Sequence, residues 1–310
     1  MVRSLPWFAL AALAALGCGG AAPSVAPPSV GSADPLAMPG GSPPRLFAPV
    51  NSADPEFGLA YDAATHTAYF DRASADRARL WIYQATWSDG AWALPTVAPW
   101  SGRWRDVDPA LSPDGTRLYF SSDRPTRGDE ARPDFDLWFL ERGPAGWSDP
   151  RKLAGDANDD RSSGASSTAA DRTLYFDVAR GDARQIVEAS PTADGYGPTT
   201  PVALALPPGT TAGNPLIAPD RSYLIHTIDP GPSGGADLAV SYREPDGSWR
   251  APQPLLEVNS AQADFAPALS PDGRYLFFTS ERPGVAPAPA DGRPPGDVYQ
   301  VELELALPPR

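Results

Sequence analysis

The feature that most constrains this chain is a segment that occurs twice. DVDPALSPDGTRLYFSSDRP, starting at Asp106, aligns without a gap to DFAPALSPDGRYLFFTSERP, starting at Asp264. Weaker copies end near Phe70 and lie around Phe176 and His226, so that Phe70, Phe120, Phe176, His226 and Phe278 mark five units spaced 50 to 56 residues apart. A fixed period of this length marks architectures in which a unit cannot bury its own faces and does so against its neighbours.

Inside each unit the punctuation is that of short antiparallel strands. An apolar stretch runs into Ser112-Pro113-Asp114-Gly115 or Ser270-Pro271-Asp272-Gly273 and continues as Leu118-Tyr119-Phe120 or Leu276-Phe277-Phe278. Pro presets φ, Asp caps the turn and Gly accepts a positive φ, so each pair reads as a hairpin. A third strand follows, such as Asp136 to Leu140 or Asp297 to Val301. Next comes a Gly-aromatic turn ending in Pro (DGAWALP, AGWSDP, DGYGPTTP, DGSWRAP) and a short fourth strand. Four strands per unit is a propeller blade. With 39 prolines and 28 glycines, long helices are disfavoured throughout. The last unit stops after its third strand, but Pro44-Arg45-Leu46-Phe47-Ala48-Pro49-Val50-Asn51-Ser52-Ala53 resembles the fourth strand at Pro254-Leu255-Leu256-Glu257-Val258-Asn259-Ser260-Ala261. The expected fold is therefore all-β: a propeller of five four-stranded blades, closed by an N-terminal strand that completes the last blade and leaves no open edge.

The pattern A-x-S-P-D-G-x-x-L-x-F followed by Ser-Asp-Arg-Pro or Ser-Glu-Arg-Pro resembles the WD40-like repeats of the TolB-like propellers, over residues from about 45 to 305. That resemblance implies a platform that binds a protein partner in the bacterial envelope. It also keeps six blades as an alternative count, because such propellers often have six.

The first residues, MVRSLPWFALAALAALGCGG, place Arg3 before an apolar run too short to span a bilayer, which reads as an export signal. Cys18, the one cysteine, follows small residues in a pattern that resembles the lipobox of bacterial lipoproteins. The expected organisation is a signal peptide over 1–17, a lipidated Cys18 with a disordered Ala/Pro/Gly/Ser tether over 18–44, and the propeller over 45–310. Gly19 after the cysteine implies an outer-membrane lipoprotein facing the periplasm, with a secreted or surface-exposed protein as the alternative. The membrane is met through the lipid alone. A net charge of −13 disfavours nucleic acid as a partner.

No nucleophile elbow, phosphate loop, metal-binding His pair or dinucleotide fingerprint occurs, and no catalytic residue is assigned. His226 stands where the other units have Phe, a core position. Glu56, Asp106 and Asp264 precede their anchors by fourteen residues, and Asp108 and Asn214 occupy the position two residues later in their units. Residues two apart share a strand face, so these five are expected to form an acidic rim on the central channel. Such a rim suits a basic peptide, a sugar or a hard cation such as calcium, for which nothing else in the sequence speaks; no cofactor is expected. The functional expectation is a non-enzymatic envelope scaffold for a protein partner. The alternative is a glycan-active hydrolase or lyase, or a glycan- or cell-wall-binding module, using that rim.

Overall fold

The computed structural model describes residues 34–310 except 75, 159–162, 181–182, 232–233 and 287–293. Cys18, the export signal and most of the expected tether lie outside the described residues.

Five antiparallel sheets make five blades. Their inner strands are Glu56–Asp62, Asp106–Leu111, Ser163–Thr168, Thr211–Ile217 and Asp264–Leu269. Each inner strand pairs with a second strand that carries the aromatic anchor or His226, then come a third strand and a two-residue fourth. Core clusters lie between blades and not within them. At the interface of blades four and five, for example, Ile225, Leu238 and Val240 meet Leu276, Phe278 and Tyr299. The remaining four interfaces are filled in the same way.

The hairpin turns form as their chemistry dictates. The Ser112 hydroxyl donates to Asp114 at 2.6 Å and accepts the Arg117 N–H at 3.0 Å, and Gly115 takes φ +66°. Ser270, Asp272 and Gly273 repeat the arrangement, with φ +72° at the glycine. In units one, three and four no glycine stands there. His66, Arg172 and Arg221 adopt the left-handed conformation instead, at φ +49°, +68° and +61°, while Asp62, Asp171 and Asp220 still cap the turn through a backbone N–H two residues on.

The N-terminal strand completes the last blade: Arg45 pairs with Gln300 and Leu46 with Tyr299. The Phe47 N–H then donates to the Val298 carbonyl, as the Leu255 N–H does to Leu238 in blade four. An asparagine fastens both junctions, since Asn51 bonds the N–H and carbonyl of Val298 and Asn259 those of Leu238. Asn158 holds Leu137 in the same way.

The folded unit begins earlier than composition suggested, and part of the stretch expected to be tether is corrected accordingly. Leu36 is buried against blade five, where its carbonyl accepts the Gln300 amide at 2.7 Å. Asp34 pairs with Arg274, and the Gly41 N–H donates to Glu302. One leucine on an apolar cluster, with these polar contacts around it, offsets the ordering of a segment otherwise rich in Pro and Gly.

Candidate functional site

Three of the five expected rim residues are not on a rim. Glu56, Asp106 and Asp264 are fully buried at the outset of their inner strands. Asp106 accepts from the Ser101 and Ser122 hydroxyls at 2.8 and 2.6 Å and from Arg124 Nη2 at 2.6 Å. Asp264 accepts from Ser260 and Arg282, and Glu56 from Ser52 and Arg72. Each arginine also reaches back to a carbonyl of the preceding segment: Trp100 for Arg124, Val258 for Arg282 and Val50 for Arg72. These trios are latches that tie the start of an inner strand to the chain before it and to the end of its own second strand. Burial raises the Glu56 and Asp106 carboxyl pKa values, and the hydrogen bonds and arginines oppose that rise. Spacing located these carboxylates along the strand; it did not reveal the arginine that covers them.

The other two residues, Asp108 and Asn214, lie on the channel. Each inner strand bulges at one position, where Gly58, Asp108, Ala165, Asn214 and Ala266 adopt positive φ between +29° and +58°. The bulge turns the backbone N–H away from its own ladder and toward the previous blade. There, Asp71 accepts the Asp108 N–H at 2.9 Å, Asp177 the Asn214 N–H at 2.9 Å and Thr279 the Gly58 N–H at 3.2 Å. Asp108 itself accepts the Ala165 N–H at 3.2 Å. Among the described residues, these inter-blade hydrogen bonds form a belt about the axis across four of the five junctions between neighbouring blades. Gly58 is required in it, because a Cβ there would stand 2.6 Å from an Asp71 oxygen.

Asp71 and Asp177 are fully buried, and Arg184 pairs with Asp177. Burial pushes the Asp71 carboxyl well above the usual range, with the neighbouring Asp108 charge adding to the rise. Its Oδ1 has no hydrogen-bond partner among the described residues. A raised folded pKa means that the fold binds the proton more tightly than the unfolded chain, so this group's contribution declines as pH rises above the ordinary carboxylate range. Asp71→Asn keeps an oxygen for the Asp108 N–H and removes the charge. We expect the variant to be more stable than the parent in urea titrations, by a larger margin at pH 8 than at pH 5. An unchanged or smaller margin at pH 8 would show that the carboxylate is not held at a cost.

Beyond the belt, the latter halves of the inner strands and their turns enclose an axial well of about 480 Å³. Asp108 and Asn214 lie at its inner end, while Asp220, Asp272 and Arg310 belong to its outer lining. Much of the wall is apolar, with Pro109, Pro215, Pro267 and Leu269 among its residues. The Asp108 carboxyl is raised to about 6, chiefly by burial and then by the Asp177 charge. His226 is remote from the well in function: it is fully buried, in the register of the aromatic anchors, with Nε2 at 3.1 Å from the Ser241 hydroxyl.

The architecture is that of a closed five-bladed β-propeller with a well on its axis. No protein-family model matches the chain, and no curated protein does. Among solved structures, it shares its fold with a putative TolB from Agrobacterium tumefaciens, at 15% identity and a TM-score of 0.51 over 83% of this chain and 80% of that one. It also shares it with the GH43 endo-arabinanase from Bacillus licheniformis, at 11% identity and a TM-score of 0.50 over 79% and 92%. TolB from Acinetobacter baumannii aligns at 15% identity and a TM-score of 0.46, over 82% of this chain but 56% of its own length. At these identities the likeness is one of fold, and the fold is TolB-like.

Proposed function

We propose that the protein is a non-enzymatic binding module of the bacterial envelope that takes a segment of a protein partner into its axial well. The well carries this reading: its volume falls in the range of built ligand sites, its wall is largely apolar and a few polar groups lie at its base. Lipidation at Cys18 would hold the module at the outer membrane, facing the periplasm.

The endo-arabinanase fold makes glycan hydrolysis the reading to weigh against it. That chemistry uses two carboxylates, roughly 5 to 10 Å apart, which both face the substrate. Here the buried Asp71 and Asp177 are engaged with backbone N–H groups, and Asp108 is the carboxylate left at the base of the well. The arrangement favours recognition over bond cleavage.

A photo-reactive amino acid at Leu269, in the wall, should give a discrete protein adduct in intact cells; the same group at Leu94, 88% exposed, should not. Absence of the adduct from the wall, together with turnover of a glycan panel by purified protein, would overturn the proposal. Cys18→Ser should move the protein from the membrane fraction to the soluble fraction.

A further inference from the structure

The five-fold repeat breaks inside the well. One wall position is Leu59, Pro109, Pro215 and Pro267 in four blades but Ser166 in blade three. Two residues on, the large apolar side chains of the other blades, such as Leu111 and Leu269, give way to Thr168. Ser166 and Thr168 line the well and are more than nine-tenths buried, at 7% and 5% exposure. Their hydroxyls have no hydrogen-bond partner among the described residues. Buried hydroxyls are ordinarily satisfied, so a pair left open beside a cavity points to a ligand that supplies the missing partners.

The flanking blades extend this polar sector. Asp108 of blade two spends one carboxylate oxygen on the Ala165 N–H, and no described residue bonds the other. Asn214 of blade four accepts the Thr227 hydroxyl at 3.2 Å and retains a second lone pair. A carboxylate, two hydroxyls and an amide oxygen therefore come from three successive blades. The facing blades, five and one, contribute Pro267, Leu269 and Leu59. The lining as a whole is acidic, since it holds Asp108, Asp220 and Asp272 against Arg310 alone, and Arg184 is committed to Asp177.

We propose that the polar sector receives the guanidinium of an arginine from the partner segment, with apolar neighbours of that arginine lying against blades five and one. The proposal rests on the reading of the well as a protein-binding site. Guanidinium fits better than ammonium because its planar fork offers five N–H donors to acceptors spread over three blades, and because it is less strongly hydrated. Charge complementarity around the well draws such a side chain in.

The test uses three dye-labelled peptides, acetyl-Leu-Pro-Xaa-Leu-Val-amide with arginine, lysine or uncharged citrulline at Xaa, titrated against the full chain. The arginine peptide should bind at least about tenfold more tightly than the citrulline peptide, with lysine between. Asp108→Asn should erase that preference; asparagine tolerates the left-handed backbone at this position, so the fold is retained. The Ser166→Val, Thr168→Val double variant should lower arginine-peptide affinity several-fold, with an unchanged circular dichroism spectrum. Equal binding of arginine and citrulline peptides, or a preference that survives Asp108→Asn, overturns the proposal. If that happens while the adduct at Leu269 persists, partner binding stands and the arginine assignment falls. If neither peptides nor adducts form, both fall.

Discussion

Arg124→Ala should destabilise the propeller by about 3 to 5 kcal/mol, the usual effect of stranding one member of a buried ion pair. Asp106 is fully buried, and Arg124 is its charged partner at 2.6 Å. The same guanidinium bonds the Trp100 carbonyl and lies 4.8 Å from the Phe120 ring centre, so truncation also opens a gap between blades. The net worth of the intact pair is far smaller than this effect, because burial of Asp106 works against it. A double variant, Asp106→Asn with Arg124→Met, should therefore recover much of the loss. Denaturant titration of the parent, both single variants and the double variant measures the coupling directly. Exposed Arg103, paired with exposed Asp129, gives the contrast: Arg103→Ala should change nothing measurable. If Arg124→Ala behaves like Arg103→Ala, the latch is not a structural element.

The second large effect is acid sensitivity at His226. Burial lowers its pKa from 6.5 to about 4, and its Nδ1 has no hydrogen-bond partner among the described residues. Between those values the unfolded chain takes up a proton that the fold refuses, so stability falls as pH drops through this window. The loss is on the order of 3 kcal/mol, at about 1.4 kcal/mol for each pKa unit. Asp71 and Asp108, with raised pKa values, act in the opposite sense and gain as pH falls. Subtracting the profile of His226→Phe from that of the parent separates the histidine from them. Phe already occupies this register in the other four blades, so the variant should fold and its acid limb should flatten. A difference profile without slope between pH 6.5 and 4 would refute the assignment.

The architecture was legible because local chemistry and global symmetry agree. The Ser-Pro-Asp-Gly turns, the aromatic anchors and the likeness of residues 44–53 to 254–261 together implied five blades and their closure, as the sheet pairing shows. Units one, three and four were fainter because His66, Arg172 and Arg221 bear the left-handed turn without glycine. The candidate site was less legible. Distance from the anchor marks Asp108 and Asn214, which lie on the channel, but equally Glu56, Asp106 and Asp264, which serve the latches. A signal for those latches was present: Asp106 and Arg124 are as far apart as Asp264 and Arg282, within the same duplicated motif. Asp71 and Asp177 each follow an anchor phenylalanine directly, yet the backbone N–H that each accepts comes from the bulge on the next blade. Ser166 and Thr168 carry no sequence signal of this kind, because they lie in the least repetitive unit.

The Asn51 clamp joins groups 247 residues apart in the chain. Contacts so distant are slow to form, since the loop-closure entropy precedes the reward. A polypeptide delivered N-terminus first therefore carries its closing strand unpaired until Asp297–Glu302 arrives, with an open sheet edge exposed throughout. Truncation near the C-terminus should accordingly be read as a failure to shut the ring, with consequences at Phe47 and Val50 as much as at the residues removed.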